Sequence, residues 1–159
     1  MTTYPTLATI AKKQIVTADY LNDLKAAIDL IRTPAYYYYL RGSADADLTT
    51  SSSTMADLNS NTTVASLDCS GNPVRVTLYA GRQTTAASTV QFDLLVDGVS
   101  VRGGTAIWIG TTNTPVNLIW TVDGLAAGTH SFKIQWKSAS AALSTLFSAN
   151  GIWFEIREE

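Results

Sequence analysis

The chain reads as mainly β, an antiparallel β-sandwich or jelly roll preceded by one short N-terminal α-helix. From Ala35 onward apolar and polar residues alternate with a period of two. Turn residues interrupt these runs at intervals of about 8–12 residues, the rhythm of sandwiches and barrels. Only the stretch before Thr33-Pro34 carries a helical period. The expected organisation is therefore an arm and amphipathic helix over residues 1–34, followed by a β-sandwich domain over residues 35–159.

Residues 1–16 hold Pro5 and the aperiodic apolar positions Tyr4, Leu7, Ile10, Ile15 and Val16, which predicts an extended arm. Thr17 then suits an N-cap, because its hydroxyl can accept from a free amide of the first turn. Asp19 places a carboxylate near the positive end of the helix dipole. Leu21, Leu24, Ile28 and Ile31 follow at spacings of three, four and three, a single stripe that also fits the a and d positions of a heptad. Arg32 falls in the last turn and Pro34 prevents continuation. A helix this short is marginal alone in water, so the stripe needs a partner. Its own β-domain and further copies of itself both qualify, and the stripe is read as an oligomerisation or anchoring element.

In the second region Val74, Val76 and Leu78 alternate with Arg75, Thr77 and Tyr79. Phe92, Leu94 and Val96 lead into Asp97-Gly98 and then Val99 and Val101, a hairpin signal because a type I′ turn needs positive φ at both central residues. Val116, Leu118 and Trp120 form another strand, ended by Asp123-Gly124. Phe132, Ile134 and Trp136 alternate with Lys133, Gln135 and Lys137. Ile152, Phe154 and Ile156 follow Asn150-Gly151. Eight to ten strands are expected. Residues 43–63 read as weak strand plus loop.

A chain of 159 residues holds one domain that buries about 68–70% of its unfolded surface. Charged residues make up 15%, against roughly 25% in typical soluble domains. That shortfall points to surface covered by identical subunits. The net charge of -2 and the lack of a Lys/Arg cluster argue against nucleic acid. No secretory signal is expected at the start, so synthesis in the cytoplasm is. No run of about 18 apolar residues suggests membrane insertion. Cys69, the sole cysteine, reads as a buried apolar residue.

Catalytic chemistry is thin. His130, the single histidine, stands at a strand start after Ala127-Gly128-Thr129 and reads as a turn residue bonding to backbone. No Cys/His cluster has metal-ligand spacing and no glycine-rich loop opens a helix. Asp45 and Asp47, with Asp57 nearby, could offer oxygens to calcium, but a solvated loop is the simpler reading. No catalytic residue, metal or cofactor is assigned, and the protein is not expected to be an enzyme.

Aromatic residues carry the remaining signal. With Ile152, Phe154 and Ile156 inward, Trp153 points outward. Ile107 and Ile109 likewise place Trp108 on the opposite face, and Tyr36 to Tyr39 put two rings on each side of their strand. Trp108, Trp153, Tyr37 and Tyr39 are the candidates for a subunit interface or a sugar-stacking platform.

Two segments carry a resemblance. Ile15-Val16-Thr17-Ala18-Asp19-Tyr20-Leu21-Asn22-Asp23-Leu24 resembles a V/L-T-A-x-x-(L/M)-N-x-L segment near the start of tailed-bacteriophage virion proteins, where it begins a short helix. The stretch from Gly124 through Gly128-Thr129-His130-Ser131-Phe132 to Trp136 resembles the L-x-x-G-x-H-x-F-x-V-x-W strand of phage domains related to the trimeric tumour-necrosis-factor and C1q jelly rolls. The Leu95-Val96-Asp97-Gly98-Val99 turn also suits that group. Together they cover about a third of the chain. The resemblance implies a homotrimeric virion component, a tail or fibre part or a capsid decoration, located in the particle. It would hold other virion proteins through residues 1–34 and stabilise the shell or contact the host surface, including its glycans. The alternative is a stand-alone carbohydrate-binding module.

Overall fold

A computed structural model describes residues 18–32, 34–87, 89–103, 107–110 and 113–159, with the side chains of residues 26, 27, 29–32 and 107–110 left out of account. The chain divides into two units, Met1–Thr33 and Pro34–Glu159. In the first, helix α1 spans Ala18–Arg32 with Asp19 in its first turn. Leu21, Leu24 and Ile28 are exposed along it. The arm, the Thr17 cap and the side chain of Ile31 lie outside the described residues.

The second unit is an antiparallel two-sheet sandwich. Among the described residues its strands are β1 (Tyr36–Arg41), β2 (Leu48–Thr50), β3 (Ala56–Asp57), β4 (Thr63–Cys69), β5 (Val74–Thr85) and β6 (Thr89–Val96). They continue with β7 (Val99–Ser100), β8 (Ile107–Gly110), β9 (Thr114–Val122), β10 (Gly128–Ser138), β11 (Ser144–Leu146) and β12 (Ile152–Glu158). Sheet I runs β1-β12-β5, with β9 on the far side of β5 and β11-β2 paired to the second half of β5. Sheet II is built on β10 and β6, with β4 and β3 along one edge and β8 and β7 along the other. Twelve strands exceed the expected eight to ten because the 43–63 region supplies the short β2 and β3 beside its loops.

The alternation in the sequence sets which faces meet. Val74, Val76 and Leu78 of β5, Ile152, Phe154 and Ile156 of β12, and Val116, Leu118 and Trp120 of β9 are buried. Opposite them stand Phe92 and Leu94 of β6 and Phe132, Ile134 and Trp136 of β10. Trp136 and Phe92 are register partners whose rings lie 5.9 Å apart. Each such side chain stabilises the fold by about 1.5–3 kcal/mol relative to exposure. Cys69 is buried, and burial, then the nearby Glu158, Asp68 and Asp97 carboxylates, push its thiol up. At the β6–β7 turn Asp97 has φ 51° and Gly98 φ 79°, both positive as a type I′ hairpin requires.

Two local ties hold the frame. Gly81 sits where β5 exchanges β12 for β11, beside a register shift between Ala80 and Gln83. Its amide donates to the Gly151 carbonyl at 2.9 Å, and a Cβ there would collide with the Asn150 carbonyl oxygen. The second tie is Glu158, a buried carboxylate at the end of β12. Its oxygens accept from the amides of Ala35 (3.2 Å), Ser70 (2.7 Å) and Asn72 (3.1 Å) and from the Ser70 hydroxyl (2.7 Å). One side chain thereby fastens the entry to β1 and the β4–β5 turn to β12. Burial alone would raise its pKa, but the Ser70 hydroxyl and the three amides outweigh that and hold it lowered.

Gly81→Ala is expected to destabilise the protein by about 3 kcal/mol, read as a lower urea midpoint at unchanged slope. Glu158→Ala leaves three amides without acceptors and should cost about 3 kcal/mol or more. Because the folded pKa of Glu158 is depressed, its contribution is present above the ordinary carboxylate value of 4.5 and is lost as pH falls through the folded value. The stability difference between wild type and Glu158→Gln, followed by urea titration from neutral to acid pH, should therefore shrink on acidification.

Candidate functional site

Outward residues of sheet I fall into three rows set by register. The first holds Tyr36, Arg157, Arg75 and Thr121, and the second Tyr38, Glu155, Thr77 and Ile119. The third holds Leu40, Trp153, Tyr79 and Asn117. Trp153 stacks on Tyr79 at 5.6 Å and 25°, and meets Tyr38 at 6.5 Å and 34°. Tyr36 is 56% exposed, Tyr38 47%, Leu40 57% and Ile119 43%. Tyr36, Tyr38, Leu40, Trp153 and Tyr79 gather aromatic and aliphatic surface here, with Ile119 beyond Thr77, and Glu155, Arg157 and Arg75 stand among them on the two central strands. A shallow cleft of about 370 Å³ opens on this face, between Tyr79, Trp153, Ile119 and the charged groups.

Trp153 therefore lies where alternation puts it. Tyr37 and Tyr39 do not share its face, which corrects their assignment to a surface platform. Their partners are Ile156 and Phe154, both buried, so they point inward and pack against the core. Tyr37 meets the Phe154 ring at 5.9 Å and donates its hydroxyl to the Asn61 carbonyl. Four consecutive tyrosines carry no apolar–polar contrast, so their phase is set only by pairing with β12. Tyr36 and Tyr38 are the outward pair. Tyr79 reads from sequence as an outward strand residue, but its stacking on Trp153 depends on the β5–β12 register. Trp108 is the register partner of Gln91 on sheet II, remote in the pairing from Trp153, and its side chain lies outside the described residues. Leu21, Leu24 and Ile28 belong to the separate helical unit.

Other polar clusters turn out to serve the fold. His130 Nδ1 lies 2.7 Å from Asp97 Oδ2 and Nε2 lies 2.9 Å from the Ala126 carbonyl oxygen. Both neighbours are acceptors, so the arrangement is complete only when both ring nitrogens donate, as imidazolium. The Asp97 hydrogen bond first, then that to Ala126, raise the imidazole pKa above 6.5 against a small opposing effect of burial. Asp97 is held low by the Ser131 amide first, then by His130. The Ser131 hydroxyl also turns to Asp97, so no serine–histidine pair forms. Asp45 accepts from the Gly42 amide, Asp47 from the Ser148 amide, and Asp57 from Gln135 and Lys133. Among the described residues no group of three or more His, Cys, Asp or Glu side chains converges on a metal position. No described helix is long and apolar enough to cross a membrane.

No protein-family model matches the chain, and no curated protein sequence does. Solved structures align with part of it at low similarity. An insecticidal delta-endotoxin, Cry8Ea1 of Bacillus thuringiensis, aligns over 71% of this chain and 19% of its own, at 10% identity and TM-score 0.41. This chain thus spans about a fifth of that toxin. The CBM36-1 domain of a multidomain xylanase from the hindgut metagenome of Trinervitermes trinervoides aligns over 77% of this chain and 98% of its own, at 9% identity and TM-score 0.38. A carbohydrate-binding module CBM36, solved with calcium and xylotriose, aligns over 72% and 100%, at 11% identity and TM-score 0.34. The class of this fold, an antiparallel β-sandwich, rests on its own two sheets.

Because His130 is the single histidine, its proton NMR titration is unambiguous and should give a midpoint above 6.5. The clasp contributes its full stability below the unfolded value and loses it as pH rises through the folded value. Asp97→Asn should lower that midpoint; an unchanged midpoint would show that the pair does not form in solution.

Proposed function

We propose that the protein is a non-enzymatic structural component of a tailed-phage virion. In this reading it is a homotrimeric surface subunit, of the tail, fibre or capsid, whose sheet I face is the contact between copies. The observation that carries the proposal is the exposed patch of Tyr36, Tyr38, Leu40 and Ile119 around the Trp153–Tyr79 stack. A subunit contact removes such a surface from water, and aromatic residues are enriched at these contacts. The low charged fraction of 15% points the same way. The sequence resemblance to phage and C1q-type domains supplies the particle and the threefold count. Residues 1–34, with the exposed Leu21, Leu24 and Ile28, would attach the sandwich to the particle.

A second reading is favoured by one feature. The cleft joins Trp153 and Tyr79 to Asn117, Glu155 and Arg157, and aromatic faces beside planar polar groups suit a sugar ring. That would make the chain a carbohydrate-binding sandwich.

Light scattering of the full chain should return three times its mass of 17.1 kDa. Tyr38→Lys with Ile119→Lys should yield a monomer whose own unfolding free energy changes by only about 0.5 kcal/mol per site. A monomeric wild type whose tryptophan fluorescence shifts with oligosaccharide would sink the structural reading and favour the second.

A further inference from the structure

The charges on the sheet I face are arranged unlike those elsewhere in the sandwich. Arg75 and Arg157 are direct register partners across β5 and β12, and both are exposed. Like charges placed opposite each other on a sheet repel. Glu155 stands in the neighbouring row, and Glu159 lines the same cleft. Among the described residues, none of these four side chains has an oppositely charged group within ion-pair distance. By contrast, Asp57 has Lys133 at 3.0 Å, Asp97 has His130, and Glu158 has its amides. Two cations and two anions thus stay unpaired among and beside the apolar groups of this face.

We infer that these groups form ion pairs between copies, with Arg75 and Arg157 of one subunit reaching Glu155 and Glu159 of the next. This rests on the reading of the sheet I face as a contact between copies. Charge complementarity selects the occupant. A polyanion would find the two arginines but also two carboxylates in the same cleft, and a polycation the reverse. A second copy presents both signs and can satisfy both. The pairs would also set specificity, because a face that is only apolar tolerates sliding, whereas juxtaposed like charges penalise wrong registers. The apolar groups would then provide the contact area, and the charges set among them would fix the rotation between subunits.

The test uses two full-length variants, Arg75→Glu with Arg157→Glu, and Glu155→Arg with Glu159→Arg, each checked for an unchanged far-UV circular dichroism spectrum. Concentration-dependent light scattering should show that each alone assembles about tenfold or more weakly than wild type. Mixed in equal amounts, the two should assemble more strongly than either alone but short of wild type, since two of the three contacts in a mixed trimer then join opposite signs and one joins like signs. Wild-type assembly with both variants unaffected would overturn the ion pairs and leave the contact face standing. Variants that fail alone and also fail when mixed would overturn the pairing as well. A monomeric wild type would remove the contact face and this inference together, and binding of the monomer to heparin that is lost in Arg75→Glu with Arg157→Glu would reassign the arginines to an anionic ligand.

Discussion

Because β5 hydrogen-bonds to β12 and β9 along its first half and to β11 along its second, its register governs the whole of sheet I. A slip of one residue would turn Val74, Val76 and Leu78 outward and bring Arg75 and Tyr79 into the core. The three rows of the outer face exist only because Arg75, Thr77 and Tyr79 fall between those apolar positions. Gly81 makes this arrangement feasible. At that point the chain must pass close to the Asn150 carbonyl while changing partners, and only a residue without a Cβ fits. The aromatic stack and the exposed arginines are therefore consequences of one strand's register, not independent features of the surface.

The polar chemistry of the sandwich divides into two kinds. Glu158, Asp97, Asp45 and Asp47 each accept from backbone amides of turns or strand ends. Such charge-assisted bonds fix loops without requiring further apolar burial. Asp45, Asp47 and Asp57 are likewise drawn apart, to Gly42, to Ser148, and to Gln135 and Lys133. The second kind, Arg75, Arg157 and Glu155, has no ion-pair partner among the described residues and lies on the face that carries the Trp153–Tyr79 stack.

Much of this is legible in the sequence. Strict alternation in 74–79 and 132–137, the Asp97-Gly98 turn and the position of Trp153 all follow from local rules, because each is decided within a few residues. What is not legible depends on pairing between distant segments. Tyr36 to Tyr39 offer no internal contrast, so only the β12 register shows that Tyr36 and Tyr38 are outward. Alternation from Ile152, Phe154 and Ile156 puts Glu158 on the inward face, but its partners at Ala35 and Ser70, far away in sequence, follow only from where β12 lies. The second half of β5 departs from simple alternation at the bulge. Beyond it the interior turns polar, with Gln83 fully buried and Thr85 bonded to Ser144 at 2.7 Å. Neither amide atom of Gln83 has a partner within the described residues, and we have no physical account of it.

The two readings of the sheet I face differ in what the Trp153–Tyr79 stack must do. A sugar platform needs a ring face open to solvent and held still. Here Trp153 is partly covered, with Tyr79 stacked on it and Tyr38 tilted against it, and it is less exposed than Tyr36 or Leu40 at the margin. On this face the most exposed apolar groups, Tyr36, Tyr38 and Leu40, lie on β1 outside the cleft, whereas Ile119 of β9 lines it. A flat ligand in the cleft would leave the β1 groups wet. A second protein surface lying across all four strands would cover them together, which is why the distribution of exposure, more than the identity of the rings, favours a contact between subunits.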